Sequence, residues 1–200
     1  FVHKFMYHNR LLCIIMCIFV EAKTEIMTEY LELKDKANAN FMQSKTRGDI
    51  RFHLLVLLAL ETGARVSDLL DITTEDFSME SGNTYLSYLN KKGKKKQVQR
   101  ISESTALKVG IVTDEITAYG VFFNDKKKTT MSRITANRKC TKIYGFNFHN
   151  LRKIAGKNVA TQKGVVYASK FLGHSRVSTT DIYLGVSTDQ FKKDMEDCII

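Results

Sequence analysis

The 200-residue sequence contains no proline, where average usage would give roughly ten. That absence excludes proline-rich linkers and polyproline recognition segments, and it favours uninterrupted helices. Cysteine is nearly as scarce: Cys13, Cys17, Cys140 and Cys198 are the four in the chain. The C-x-x-x-C of Cys13 and Cys17 has no second ligand pair, so neither a zinc site nor a disulfide framework is expected. Thiols, buried or on the surface, in a reducing cytoplasm fit better. There is no Walker loop and no H-E-x-x-H, and the carboxylates do not cluster, so nothing calls for a metal or nucleotide cofactor. Nor is there an internal repeat. The longest apolar stretch, Leu11 to Val20, has ten residues, which is too short to span a bilayer as a helix.

Three readings of that stretch stand side by side. Following Lys4 and Arg10, it resembles the apolar core of a secretory signal, although Val20-Glu21-Ala22 is a poor cleavage site. The chain begins with Phe1, so it is read as a fragment or as starting upstream of an initiator, with Met27 the candidate. The stretch can also be a buried helix or strand. Residues 1–23 are therefore set apart from a single domain expected over 24–200.

With 44% apolar and 26% charged residues, wholesale disorder is excluded. The net charge of +10 is divided unevenly: residues 1–90 carry −3 and residues 91–200 carry +13. A half so basic attracts a polyanion, most commonly nucleic acid, although solubility alone also explains it.

Periodicity predicts a mainly helical domain with a small antiparallel sheet. Ile26, Tyr30, Leu33 and Ala37 recur at helical spacing over Thr24–Phe41, and Asp49–Thr62 is apolar on most faces, as a central core helix would be. Gly63 should end that helix, and a short one restarts over Val66–Asp71. Thr84–Leu89 and Val98–Ile101 read as strands around a basic hairpin turn at residues 91–96. Helices are expected over Ser104–Val109 and Thr129–Lys142, with a strand at Val121–Phe123 between them. Further helices follow over Phe148–Lys163 and Val165–Leu172, and around 179–184 and 188–197.

Four pieces carry chemistry. Arg65 sits at a helix–turn–helix junction in Thr62-Gly63-Ala64-Arg65-Val66-Ser67-Asp68, and lysines crowd the hairpin. His149-Asn150-Leu151-Arg152 opens a helix. In Leu172-Gly173-His174-Ser175 the histidine lies 22 residues beyond Arg152, and Tyr183 follows nine residues after His174, behind Thr179-Thr180-Asp181-Ile182. This order and spacing resembles the tyrosine recombinases of the phage integrase family, whose pattern is Arg, Lys, H-x-x-R, a second His and a nucleophilic Tyr. The resemblance covers residues 45–190 and implies their catalytic fold, a helical bundle with a small antiparallel sheet.

The residue types suit phosphodiester chemistry. Arg65 and Arg152 can each grip non-bridging phosphate oxygens with paired N–H donors while staying charged at any working pH. Tyr183 can form a phosphotyrosine ester, for which its hydroxyl needs a proton acceptor. His149 is the candidate acceptor, and His174 a hydrogen-bond donor to a phosphate oxygen. In the family a hairpin lysine protonates the leaving 5′-oxygen. The Lys92-Gly93 alignment points to Lys92, with Lys91, Lys94 and Lys95 open alternatives. Lys91, Lys94, Lys95 and Lys96 are candidate DNA contacts, and Lys126-Lys127-Lys128 a solvated or phosphate-touching loop. Asp68, three residues after Arg65, occupies the family's acidic supporting position and could hold the guanidinium by a charged hydrogen bond.

The resemblance implies a site-specific DNA recombinase or integrase of a phage or mobile element, cleaving one strand per active site through a 3′-phosphotyrosine. Double-stranded DNA is the expected partner, with no membrane, no small-molecule substrate and no cofactor, in the cytoplasm at the nucleoid. Phe191, Met195 and Ile199 recur at four-residue intervals in a C-terminal segment that would dock on a neighbouring subunit of a homotetramer, or simply pack within its own chain. Family members usually carry an N-terminal DNA-clamping domain, which this sequence lacks or holds only in truncated form. Two alternatives remain: a type IB topoisomerase-like nicking-closing enzyme, against which the H-x-x-R histidine argues, and a non-catalytic DNA-binding remnant of a mobile element.

Overall fold

The computed structural model describes residues 2–92, 94–113, 120–124 and 129–174. Helix α1 runs from Val2 to Gln43, α2 from Arg47 to Thr62, and α3 from Val66 to Leu69. A 3-10 turn at Thr74–Asp76 leads into strands β1 (Phe77–Glu80), β2 (Asn83–Asn90) and β3 (Lys95–Ile101). Helix α4 (Glu103–Thr113), a two-residue ladder of β4 (Phe123–Asn124) with β5 (Thr129–Thr130), and helices α5 (Arg133–Tyr144), α6 (Phe148–Lys163) and α7 (Val165–Phe171) complete the described chain. It is a mainly helical fold with a small antiparallel sheet, as the periodicity predicts.

Helix α2 is the axis of the core. Thr46 caps it by accepting from the Asp49 amide, and every residue from Phe52 to Thr62 is buried. Around it pack α1, through Tyr30, Leu33, Ala37 and Phe41, and α6, through Leu151, Ile154, Ala155 and Val159. Spacings of three and four residues bring these four side chains of α1 onto one stripe facing the core.

Buried charge near the end of α2 ties three elements together. The Glu61 carboxylate accepts from the Ser102 amide at 2.8 Å, the Ser102 hydroxyl at 2.6 Å and the Thr105 hydroxyl at 2.9 Å. Lys34 Nζ of α1 lies 3.1 Å from it. These contacts satisfy both carboxylate oxygens of a side chain that is only 1% exposed. The network fixes the end of α2 against α1 and α4, two residues before the turn that carries Arg65. Cys140 is fully buried, and burial pushes its thiol up to about 12, so it is an inert packing group.

Several elements depart from the sequence expectation. Helix α1 begins at Val2 rather than near Thr24, and it passes straight through the apolar stretch. Strand β1 was not expected; its apolar–polar alternation runs for only four residues, three of them exposed. Lys95 and Lys96 belong to β3, where they pair with Asn90 and Leu89 of β2 instead of lying in the turn. Thr129 and Thr130 pair with Asn124 and Phe123 instead of opening α5, whose start is set by Ser132 accepting from the Thr135 amide. Val121 and Phe122 lie in a turn just before β4. The helices expected around 179–184 and 188–197, Tyr183, Cys198, Lys126–Lys128 and the stripe of Phe191, Met195 and Ile199 lie outside the described residues.

Candidate active site

Gly63 closes α2 in the left-handed conformation, φ +59°, and a side chain there would run into the Phe171 ring. The tight turn lets the chain reverse at once, so Arg65 emerges as the residue capping α3. Its guanidinium is partly exposed and donates to Asn90 Oδ1 at 2.6 Å. Asp68 Oδ2 faces the same nitrogen at 3.9 Å, an ion-pair separation beyond hydrogen-bond reach. The close partner of Arg65 is thus Asn90 and not the expected Asp68, which stays buried with Oδ2 accepting no hydrogen bond.

Arg152 comes from the first turns of α6. Asn147 caps that helix by accepting from the Asn150 amide, and Asn137 of α5 accepts from the Phe148 amide at 3.1 Å. The α5–α6 corner so fixed presents His149, exposed, and Arg152, 7% exposed, toward the Arg65 turn. Arg152 donates to the carbonyls of Gly63 and Leu172. Burial and then the charge of Arg65 pull its pKa below the ordinary guanidinium value, opposed by Tyr88 and Asp68. Two cations held this closely repel one another, and an anion between them would relieve both penalties.

The turn after α7 adds His174. Three polar side chains hold it: Arg152 on the Leu172 carbonyl, Asn90 Nδ2 on the Gly173 carbonyl at 3.0 Å, and Gln99 Nε2 on the Phe171 carbonyl at 3.1 Å. Gly173, at φ +59°, leaves no room for a Cβ, which would lie 2.7 Å from Asn90 Nδ2. Burial, then the positive field of Arg152, Arg65 and Lys92, holds the His174 imidazole below the ordinary histidine range. The ring is therefore neutral near pH 7 and can donate from one nitrogen.

Arg65, His149 and Arg152 line one cavity of about 580 Å³ with Ser67, Arg133 and Arg138. The field of Lys92 reaches His174 from the exposed hairpin, where Lys91 instead pairs with Asp71. Lys94, Lys95 and Lys96 are exposed along the same hairpin. Beneath the guanidiniums lies Tyr88, 5% exposed, whose phenol burial raises well above its ordinary value against the field of Arg152. It stays a neutral hydroxyl, unsuited to nucleophilic attack.

Sequence reasoning missed Asn90, Gln99, Arg133 and Arg138. The last two had a legible signal, arginines on the helix that precedes the one carrying H-x-x-R. Asn90 had none, because its partners are 25 and 83 residues away. Among the described residues no group of three or more His, Cys, Asp or Glu could hold a metal ion. No helix among them is long and apolar enough to cross a membrane.

The family model described as "Phage integrase family" matches residues 29–190. The chain belongs to the phage integrase family. Its fold is similar to that of the XerH site-specific recombinase bound to difH substrate in a pre-cleavage complex, with a TM-score of 0.62 and 17% identity over 76% of this chain and 48% of that one. It is similar to the lambda integrase catalytic core, with a TM-score of 0.52 and 21% identity over 76% of this chain and 91% of that one. In a lambda integrase tetramer bound to a Holliday junction the match has a TM-score of 0.54 and 18% identity, over 75% of this chain and 46% of that one. The chain spans about half the length of the XerH chain it matches. No curated protein matches it significantly in sequence. The family shown is the one that the sequence resembles.

Proposed function

We propose that this chain is the catalytic part of a site-specific DNA recombinase, cleaving and rejoining strands through a 3′-phosphotyrosine intermediate. The observation that carries this reading is the convergence of Arg65, His149 and Arg152, from α3 and α6, on one cavity. The strongly basic half of the chain supports DNA as the partner, as does the DNA-bound state of XerH. Residues 24–200 would form the catalytic unit. A homotetramer on DNA, docked through the segment after Tyr183, is part of the same proposal, as is a cytoplasmic location at the nucleoid.

In the proposed reaction Arg65 and Arg152 hold the non-bridging oxygens of the scissile phosphate. The donors Arg152 spends on Gly63 and Leu172 fix its plane, and its remaining N–H groups are available to the phosphate. The Tyr183 oxygen attacks phosphorus and its proton passes to His149. The bond to the 5′-oxygen breaks, and that oxygen takes a proton from Lys92. His174, neutral, donates to a phosphate oxygen. Reversal with the 5′-hydroxyl of a partner strand restores the phosphodiester, so no external energy source is needed.

The test is covalent capture on suicide duplexes nicked near the cleavage point, screened from the flanks of the gene and run on a denaturing gel. A protein–DNA adduct that disappears in Tyr183→Phe is the expected result. Salt-sensitive DNA binding with no adduct on any duplex would instead favour the non-catalytic remnant.

A further inference from the structure

The face of the sheet turned toward the core changes character along its length. In the antiparallel register Ile101 faces Thr84, Gln99 faces Leu86, Gln97 faces Tyr88 and Lys95 faces Asn90. Leu86 and Ile101 sit fully in the core, while Gln99 and Asn90 are buried polar groups, 3% and 2% exposed, nearer the lysine turn. Buried amides at these positions need partners. Asn90 finds one of each kind: its Oδ1 accepts from Arg65 at 2.6 Å and its Nδ2 donates to the Gly173 carbonyl at 3.0 Å.

Only a side chain with both an acceptor and a donor can make this bridge. A carboxylate would strengthen the bond to Arg65 but set an oxygen against the Gly173 carbonyl, and an alkyl group would leave both unpaired. Asn90 is also the last residue of β2, immediately before Lys91 and Lys92. It therefore stands where the lysine hairpin, the Arg65 turn and the His174 turn meet. The missing Cβ of Gly173 is what lets the amide approach.

We propose that Asn90 is a positioning residue that fixes the Arg65 guanidinium and the His174 turn relative to each other and to the lysine hairpin. This rests on the recombinase reading for its catalytic consequence, although the clamp itself can be measured without any DNA. Arg65 caps a four-residue helix through its backbone, and among the described residues Asn90 is the hydrogen-bond partner of its side chain. Without the amide, its grip on a phosphate oxygen would be set afresh in each encounter, and loss of alignment of this kind slows reactions about a hundredfold per ångström of misplacement.

Two variants of the full chain separate the possibilities. Asn90→Ala removes both bonds without changing charge, and Asn90→Asp is isosteric, keeping the acceptor and losing the donor. By NMR, the His174 titration midpoint of Asn90→Ala should rise toward the ordinary histidine value, as the turn moves away from Arg65, Arg152 and Lys92. On a duplex that gives an adduct with the unsubstituted chain, adduct formation at saturating protein should slow roughly tenfold to a hundredfold in both variants. The dissociation constant for that duplex should change less than about threefold, since phosphate contacts elsewhere dominate affinity. An unchanged His174 midpoint in folded Asn90→Ala overturns the clamp, and so does a wild-type cleavage rate in either variant. Should Asn90→Ala not fold, the rate of Asn90→Asp decides alone. If the unsubstituted chain forms no adduct on any duplex, the recombinase reading fails, and the clamp stands or falls on the His174 midpoint.

Discussion

Arg152 donates to the carbonyl of Gly63, two residues before Arg65, so one guanidinium of the site holds the turn that presents the other. The two arginines are consequently unequal. Arg152 is 7% exposed and braces two backbone turns, whereas the Arg65 side chain is 29% exposed and bonded to one amide.

That inequality predicts different losses. Arg152→Ala should destabilise the fold by at least about 1.5–3 kcal/mol, the worth of a single hydrogen bond from a charged group. Arg65→Ala gives up one such side-chain bond against the two of Arg152, so its loss should be about half as large. Both should lower adduct formation by about 10²–10³-fold, as loss of an oxyanion donor does. Urea unfolding beside the nicked-duplex assay checks this. Equal stabilities for the two variants would mean that Arg152 does not brace the turns.

Gly63 meets Phe171 where a Cβ would have to stand, at a backbone conformation of φ +59°. Gly63→Ala should lose roughly 1–2 kcal/mol from the left-handed conformation and a further 1–3 kcal/mol, roughly, from crowding. Only the second part has a steric partner, so Phe171→Leu added to Gly63→Ala should recover stability relative to the single substitution. A double-mutant cycle in thermal unfolding tests this, and simple additivity would show that the ring is not the obstacle.

Much of this fold can be read from the sequence where one element decides its own limits. Helix α6 has Asn147 to start it and Gly164 after Lys163 to stop it, and its span matches the expectation from Phe148 to Lys163. The end of α2 at Gly63 is equally local. What escapes is what depends on distant partners. Strand β1 alternates Phe77-Ser78-Met79-Glu80, but four residues are too few to read alone, and it is the pairing of Phe77 with Leu86 and Met79 with Thr84 across a short turn that makes it a strand. Lys95 and Lys96 look like turn residues by composition, but the ladder with Asn90 and Leu89 takes them into β3. The arginines and histidines of the site were visible as a motif, whereas the amides that hold them were not. Asn90 and Gln99 resemble ordinary polar strand residues until the 171–174 turn arrives against them.

His53 supplies a pH dependence remote from the site. Its Nδ1 lies 2.6 Å from the Tyr144 hydroxyl, joining α2 to α5, and the Asn40 amide of α1 donates to the same hydroxyl at 3.3 Å. Burial, then the charge of Lys139, lowers the His53 pKa, while Asp49 opposes this. A base whose folded pKa is depressed binds fewer protons folded than unfolded, so stability rises with pH. Its contribution is therefore complete above the unfolded value of about 6.5 and is lost as pH falls from there through the folded value. Urea midpoints measured from neutral pH downward should fall more steeply for the unsubstituted chain than for His53→Gln. Parallel curves would show that His53 takes no part in the acid loss.

The last prediction concerns affinity rather than chemistry. Arg133 and Arg138 of α5 line the cavity with Arg65 and Arg152 and have no role in the proposed proton transfers. Their remaining use is to meet phosphates of a bound duplex, with Ile134, 67% exposed, beside them on the same cavity wall. Each such contact releases counterions, so Arg133→Ala and Arg138→Ala should each reduce the slope of log affinity against log salt by about 1, whatever the duplex sequence. Lys157, exposed on α6 and outside the cavity lining, is the comparison position, and Lys157→Ala should leave the slope as it is. Titrating one fluorescent duplex at several salt concentrations measures all three. A slope that drops for Lys157→Ala and stays unchanged for the two arginine variants would mean that DNA lies across a different face of α6 from the one that carries His149 and Arg152.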